Sequence, residues 1–65
     1  MITDIDLWRA AALLIKLRGA DAEIVAARRC DELAEREDHQ GRDVWLRIKR
    51  AVAELQAMQP SGPVH

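Results

Sequence analysis

Residues 3–21 read TDIDLWRAAALLIKLRGAD, and this stretch carries the signals of one complete helix and of the start of another. Thr3 is a favoured N-cap residue, and Asp6 stands three positions later, close to the pattern of a capping box. Gly19 is typical of the position just after a helix, because glycine adopts left-handed backbone conformations without strain. The spacing therefore predicts a helix at about residues 4–18.

The apolar side chains of this helix extend around most of its circumference. Trp8, Ala11 and Ile15 form one stripe at helical spacing, and further apolar residues widen it. A helix of this kind is usually buried on more than one side. Two other helices in so short a chain can cover only part of this surface. We therefore expect a second copy or another helical protein to cover the remaining apolar side chains, which are Ile5, Leu13, Leu14 and Leu17.

A second helix is predicted at residues 22–37. Asp21 can act as its N-cap, and Glu23 places negative charge in the first turn, where the helix dipole favours it. The side of this helix that would face the core has mostly small side chains, which are Ala26, Ala27, Cys30, Leu33 and Ala34. This seam of small residues allows other helices to approach closely.

A third helix is predicted at residues 39–58, and two aspartates compete as its N-cap. Asp38 would start the helix at His39 and place Gly41 in the first turn, whereas Asp43 would start it after a break at Gly41. We favour Asp38. The apolar residues of this helix recur at intervals of three, four and three, at Trp45, Ile48, Val52 and Leu55.

The length of the chain limits what these helices can form. Sixty-five residues are enough for one domain, and a domain of this size buries only about 60% of the surface that its unfolded chain exposes. Cys30 is the only cysteine, so no intramolecular disulfide can add stability. We predict an all-α protein whose residues 1–58 form a compact three-helix bundle or a helical homodimer. Residues 59–65 are predicted to be a disordered tail.

The two tryptophans, Trp8 and Trp45, are the largest side chains of a chain that has no Phe or Tyr. Each can bury on the order of 200 Å². We expect both to belong to the core, packed against each other or against the seam between Ala26 and Cys30.

Candidate catalytic and metal-ligating residues are few. Cys30 stands in an apolar face, where a cysteine usually behaves as a small buried hydrophobe. His39 lies in a charged turn beside Asp38, where an exposed histidine is the ordinary outcome. The sequence has no phosphate-binding loop, GxSxG or HExxH motif, and three short helices rarely enclose a substrate pocket. We therefore expect no enzymatic activity, no small-molecule substrate, no metal and no cofactor.

The amino-terminal segment has the pattern of neither a secretory signal nor a membrane anchor. Asp4 and Asp6 stand where a signal peptide carries positive charge. Arg9 and Lys16 interrupt the apolar run well short of the roughly 20 apolar residues that a spanning helix needs. We expect a cytoplasmic protein.

The charged residues leave nucleic-acid binding as the alternative function. The net charge is −1, which argues against a protein built mainly to bind nucleic acid. Arg42 and Lys49 nevertheless share one side of the third helix, the element that a tri-helical DNA-binding domain places in the major groove. Our first hypothesis is a non-enzymatic protein–protein interaction or regulatory module. The alternative is a small nucleic-acid-binding regulator that uses Arg42 and Lys49.

The core and capping positions together resemble a family of short, uncharacterised proteobacterial proteins, a domain of unknown function. Its members read roughly W..A..L....GADA....A.R...L...GD..G...W..I, and the resemblance covers about residues 8–55. In this chain the pattern is carried by Trp8, Ala11, Leu14, residues 19–22, Ala27, Arg28, Leu33, Asp38, Gly41, Trp45, Ile48 and Leu55. Glu37 stands where the family usually has glycine, a residue that left-handed turns favour. The resemblance implies a bacterial, cytoplasmic, helical protein and no catalytic residue.

Overall fold

A computed structural model describes residues 3–58, and every regular element within this range is a helix. Helix α1 spans Asp4–Arg18, α2 spans Ala22–Glu35 and α3 spans His39–Met58. A 3-10 turn at Gly19–Asp21 lies between α1 and α2. The all-helical fold class is confirmed for this range, and the predicted tail at residues 59–65 lies outside the described residues.

The start of α1 has the predicted capping box. The backbone N–H of Asp6 donates to Thr3 Oγ1 at 3.2 Å, and the backbone N–H of Thr3 donates to Asp6 Oδ2 at 3.4 Å. Two N–H groups that the helix leaves without a partner are therefore satisfied by side chains.

The join between α1 and α2 corrects the prediction of three separate helices. The 3-10 turn leads from one helix directly into the next, so no extended segment separates α1 from α2. Gly19 turns the chain with φ 58° and ψ −126° while its N–H donates to the carbonyl oxygen of Ile15. Asp21, the predicted N-cap of α2, has helical φ and ψ angles and makes no capping hydrogen bond with its side chain. A capping side chain needs an extended backbone at its own position, so this prediction was wrong.

Helix α2 ends at Glu35, two residues earlier than predicted, in a tight turn. The N–H of Glu37 donates to the carbonyl oxygen of Ala34 at 3.0 Å, and the N–H of Asp38 donates to that of Leu33 at 2.9 Å. This pair of hydrogen bonds is a Schellman motif. Glu37 occupies its left-handed position with φ 59°, where glycine is the usual residue.

Asp38 caps α3, as predicted. Its Oδ1 accepts a hydrogen bond from the backbone N–H of Gly41 at 2.9 Å. Helix α3 therefore begins at His39, and Asp43 lies inside it. A Cβ atom at position 41 would lie only 2.8 Å from Asp38 Oδ2, so the cap and the glycine fit each other.

Helix α3 packs against both α1 and α2, whereas α1 and α2 contact each other much less. Trp45, near the start of α3, lies under Arg29 in the second half of α2. Gln56, near the end of α3, reaches Gly19 just before α2. Helices α2 and α3 are therefore antiparallel.

The core between these helices is built mostly from small side chains. Val52 is the largest of the completely buried side chains among residues 3–58. The buried residues of the described range are Leu7, Ala11, Ala22, Ala26, Cys30, Ile48, Ala51 and Val52. Alanine at these contacts lets the helices lie close together, so little volume is left for bulky groups.

Candidate protein-interaction surface

Helix α1 exposes three large apolar side chains outside its core contacts. Leu7 and Ala11 are buried and fix which side of α1 faces the core. Ile5 and Leu13 point away from that side, and Leu17 lies at its border, three positions after Leu14. Ile5, Leu13 and Leu17 are 63%, 56% and 69% exposed. We call the side that carries them the outer face of α1, and it also includes the exposed charged residues Asp6, Arg9 and Lys16.

Three of the four residues predicted to meet a partner therefore lie on the outer face. Leu14, the fourth, is partly buried and packs against the buried cluster. The difference follows from helix geometry, because Leu14 stands seven and three positions after Leu7 and Ala11 and shares their side of the helix. Leu14 therefore packs beneath the outer face and is not part of it.

Trp8 is 40% exposed and lies at the edge of the α1–α3 contact, which corrects the prediction that it belongs to the core. It borders a groove of about 370 Å³, whose other walls include Leu7, Arg47, Arg50 and Ala51. Leu7 and Ala51 are buried, and the small Ala51 side chain brings α1 close to α3. The indole therefore lies beside the helix contact and not inside it.

Trp45 is partly buried and packs against the core cluster. The Arg29 guanidinium carbon lies 5.7 Å from the centroid of its ring, a cation–π contact that links α2 to α3. Arg29 also pairs with Glu32, with 3.2 Å between Nη1 and Oε1. Trp45 thus lies on the α2 side of α3, whereas Trp8 lies on the α1 side, so the two indoles do not pack together.

The basic residues of α3 are spread around its exposed side, where Arg50 lies between Arg47 in one groove and Lys49 in another. Arg42 is exposed, but Lys49 is partly buried in a second groove that also contains Glu23 of α2. Arg47 points to a different side and pairs with Asp43 at 3.4 Å. The two residues of the nucleic-acid alternative thus share a side of α3 in the structure, with an acidic residue beside one of them.

Cys30 and His39, the two residues considered as catalytic or metal-ligating candidates, lie in different parts of the fold. Cys30 is buried in the seam of α2, and His39 is the exposed first residue of α3. Within residues 3–58, no three His, Cys, Asp or Glu side chains are grouped so that they could hold a metal ion. All buried side chains in this range are apolar or are the Cys30 thiol. What the described surface offers is exposed apolar groups with charged side chains between them.

Sequence reasoning missed four exposed apolar residues: Trp8, Ile24, Leu46 and Met58. A signal for Ile24 was available, because it stands out of the spacing that relates Ala22, Ala26 and Cys30 along one side of α2. The sequence has no such signal for Trp8, because Trp8 is at helical spacing with Ala11 and Ile15 and yet lies beside the buried residues of α1.

The comparisons with known proteins do not identify a relative. The chain matches no protein-family model, no curated protein and no solved structure. The resemblance to short proteobacterial proteins therefore stays a prediction. None of the helices within residues 3–58 has both the length and the apolar character required to cross a membrane.

Proposed function

We propose that this protein is a non-enzymatic interaction module that docks a helix of another chain on the outer face of α1. One observation carries the proposal. Three large apolar side chains on one helix are each more than half exposed, while four of the eight buried residues described are alanine. An apolar face of this kind on a small protein marks an interaction site.

The energetics of so small a core support the same proposal. Fully burying a leucine or isoleucine contributes roughly 1.5–3 kcal/mol. Ile5, Leu13 and Leu17 are each more than half exposed in the single chain, so most of this contribution is not yet realised there. Burial of these side chains in a complex would therefore add substantially to the stability of the fold.

The charged residues on the outer face would set the specificity of docking. Arg9 and Lys16 are exposed between the apolar side chains, and neither takes part in an ion pair among residues 3–58. Their aliphatic stems can cover apolar surface while their charged ends meet carboxylates of a partner.

A pull-down with matched baits tests this function. The baits are the wild-type chain, Leu13→Lys and the control Leu46→Lys, which makes the same substitution at an exposed leucine of α3. Lysine is a good helix former, so all three baits should retain their helices. We expect the wild type and Leu46→Lys to retain the same protein in stoichiometric amount and Leu13→Lys to lose it.

Nuclease treatment of the same samples addresses the alternative. Recovery that depends on nucleic acid, and that is lost in Arg42→Gln and Lys49→Gln but kept in Leu13→Lys, would replace the proposed function by nucleic-acid binding. Equal recovery by all three baits would show that the outer face of α1 plays no part.

A further inference from the structure

We propose that the partner of the outer face of α1 is a second copy of the same chain, bound with the two α1 helices antiparallel. This inference rests on the proposed function and names the occupant of that surface. A two-fold symmetric interface must be complementary to itself, because each surface patch meets its own copy. The outer face of α1 satisfies this condition in its apolar groups and in the pair Asp6 and Lys16, which have opposite charges.

The acidic and basic ends of the outer face are separated along α1. Asp6 lies in its first turn and Lys16 in its last turn, whereas Asp4 borders the groove toward α3 and Arg18 the groove toward α2. When two copies are antiparallel, the acidic end of each helix lies beside the basic end of the other. The two helix dipoles are then also opposed, which is the favourable arrangement. A parallel pair would instead bring like charges together at both ends.

The apolar side chains occupy matching levels in the same arrangement. If the two helices overlap along their whole length, their common midpoint is Ala11, the central residue of Asp4–Arg18. Ile5 of one copy then lies at the level of Leu17 of the other, and Asp6 lies at the level of Lys16. Arg9 and Leu13, the outermost pair, are nearest to the symmetry axis. Each contact occurs twice.

The length of α1 also sets the strength of this dimer. Fifteen residues give a helix of about 22 Å, which is too short to bury the roughly 800 Å² per partner of a standard interface. We therefore expect a reversible dimer whose population depends on protein concentration, and not a permanent one.

Sedimentation equilibrium of the purified full-length chain over a wide concentration range is the first test. We expect a monomer–dimer equilibrium for the wild type and for the control Leu46→Lys. Leu13→Lys should weaken the dimer by about 100-fold, because each dimer loses two leucine contacts and gains two lysines beside Arg9. Circular dichroism of each variant confirms that the helices are retained.

Thiol cross-linking with a short bismaleimide tests the orientation. In the double variant I5C/L17C, the two new thiols of one chain are 12 residues of helix apart, about 18 Å. A short bismaleimide cannot span this distance, so it can only join a thiol of one chain to a thiol of the other. In the antiparallel pair, position 5 of one chain lies at the level of position 17 of the other. Each single variant, I5C or L17C, has its two thiols at opposite ends of that pair and should cross-link slowly. Cys30 is buried and present in every variant.

Three results would overturn the proposal, and they separate it from the proposed function. Faster cross-linking of the single variants than of I5C/L17C would show parallel association. A monomer at all concentrations, with a different protein captured from lysate in a Leu13-dependent way, would exclude the dimer and keep the interaction module. A monomer without any Leu13-dependent capture would overturn both.

Discussion

The side-chain amide of Gln56 donates a hydrogen bond from Nε2 to the carbonyl oxygen of Gly19 at 3.1 Å, across 37 positions of sequence. This bond ties the end of α3 to the turn between α1 and α2. The same carbonyl oxygen also accepts the backbone N–H of Ala22 within the 3-10 turn, so Gln56 supplies its second hydrogen bond. The relative positions of the three helices therefore depend in part on one amide.

Replacing Gln56 by alanine should lower the free energy of unfolding. A hydrogen bond of this kind contributes about 1 kcal/mol net. The control is Gln40→Ala, which has the same change in helix propensity at an exposed position of α3. We expect Gln56→Ala to be less stable than Gln40→Ala by about 1 kcal/mol in urea denaturation. Equal stability of the two variants would mean that the bond contributes nothing.

Glycine at position 37 should stabilise the protein. Glu37 has φ 59° in the Schellman motif, and a left-handed conformation costs a non-glycine residue roughly 1–2 kcal/mol. We expect Glu37→Gly to raise the free energy of unfolding by about 1 kcal/mol at most, because relief of this strain is partly offset by the larger entropy of glycine in the unfolded chain. Glu35→Gly, two residues earlier inside α2, should lower it by about 1 kcal/mol. A loss at both positions would contradict the turn geometry.

Alanine at position 19 should destabilise the protein through its backbone alone. Gly19 has φ 58° and ψ −126°, and a Cβ atom there would meet no other atom within 4 Å. The expected loss for Gly19→Ala is about 1–3 kcal/mol. Chemical synthesis can place D-alanine at the same position, and D-alanine prefers positive φ. The D-residue should retain the stability of the wild type, whereas equal losses for both isomers would point to a steric cause.

A double-mutant cycle should show that Asp38 and Gly41 depend on each other. In the wild type, Gly41→Ala gains helix propensity but pushes a Cβ atom against the capping carboxylate at 2.8 Å, so we expect no gain in stability. Asp38→Ala alone should cost about 1 kcal/mol through loss of the cap. In the Asp38→Ala background, Gly41→Ala should stabilise by about 1 kcal/mol. Additive effects of the two substitutions would contradict this coupling.

The sequence predicted those features that depend on residues close together in the chain. The bounds of α1 and α3 are confirmed because Thr3, Asp6 and Asp38 make capping bonds to residues three positions away. The end of α2 was predicted two residues too late, because Glu37 adopts a strained left-handed conformation that the surrounding turn maintains. The role of Asp21 was wrong because the chain has no extended residue between α1 and α2 at which a cap could form.

The candidate surface was harder to predict for a physical reason. Helix α1 is apolar around most of its circumference, so periodicity cannot decide which side faces the core. The choice depends on α3, which packs on the side with Leu7 and Ala11. That packing exposes Ile5, Leu13 and Leu17, moves Leu14 inward and leaves Trp8 at the edge. The sequence therefore predicted the exposure of three residues of the outer face. Which residues lie at its border depends on how the three helices pack together.

The alanine-rich core also sets how the protein responds to temperature. Because the chain has only 65 residues and four of the eight buried residues described are alanine, less apolar surface is exposed on unfolding than in a larger domain, and the heat-capacity increment is small. The stability curve is then shallow, and the unfolding enthalpy of so short a chain is low. The thermal transition is correspondingly broad, yet a change of about 1 kcal/mol moves its midpoint by roughly 4–8 °C. Substitutions at single turns and caps thus shift the melting temperature of this protein far more than they would in a larger one.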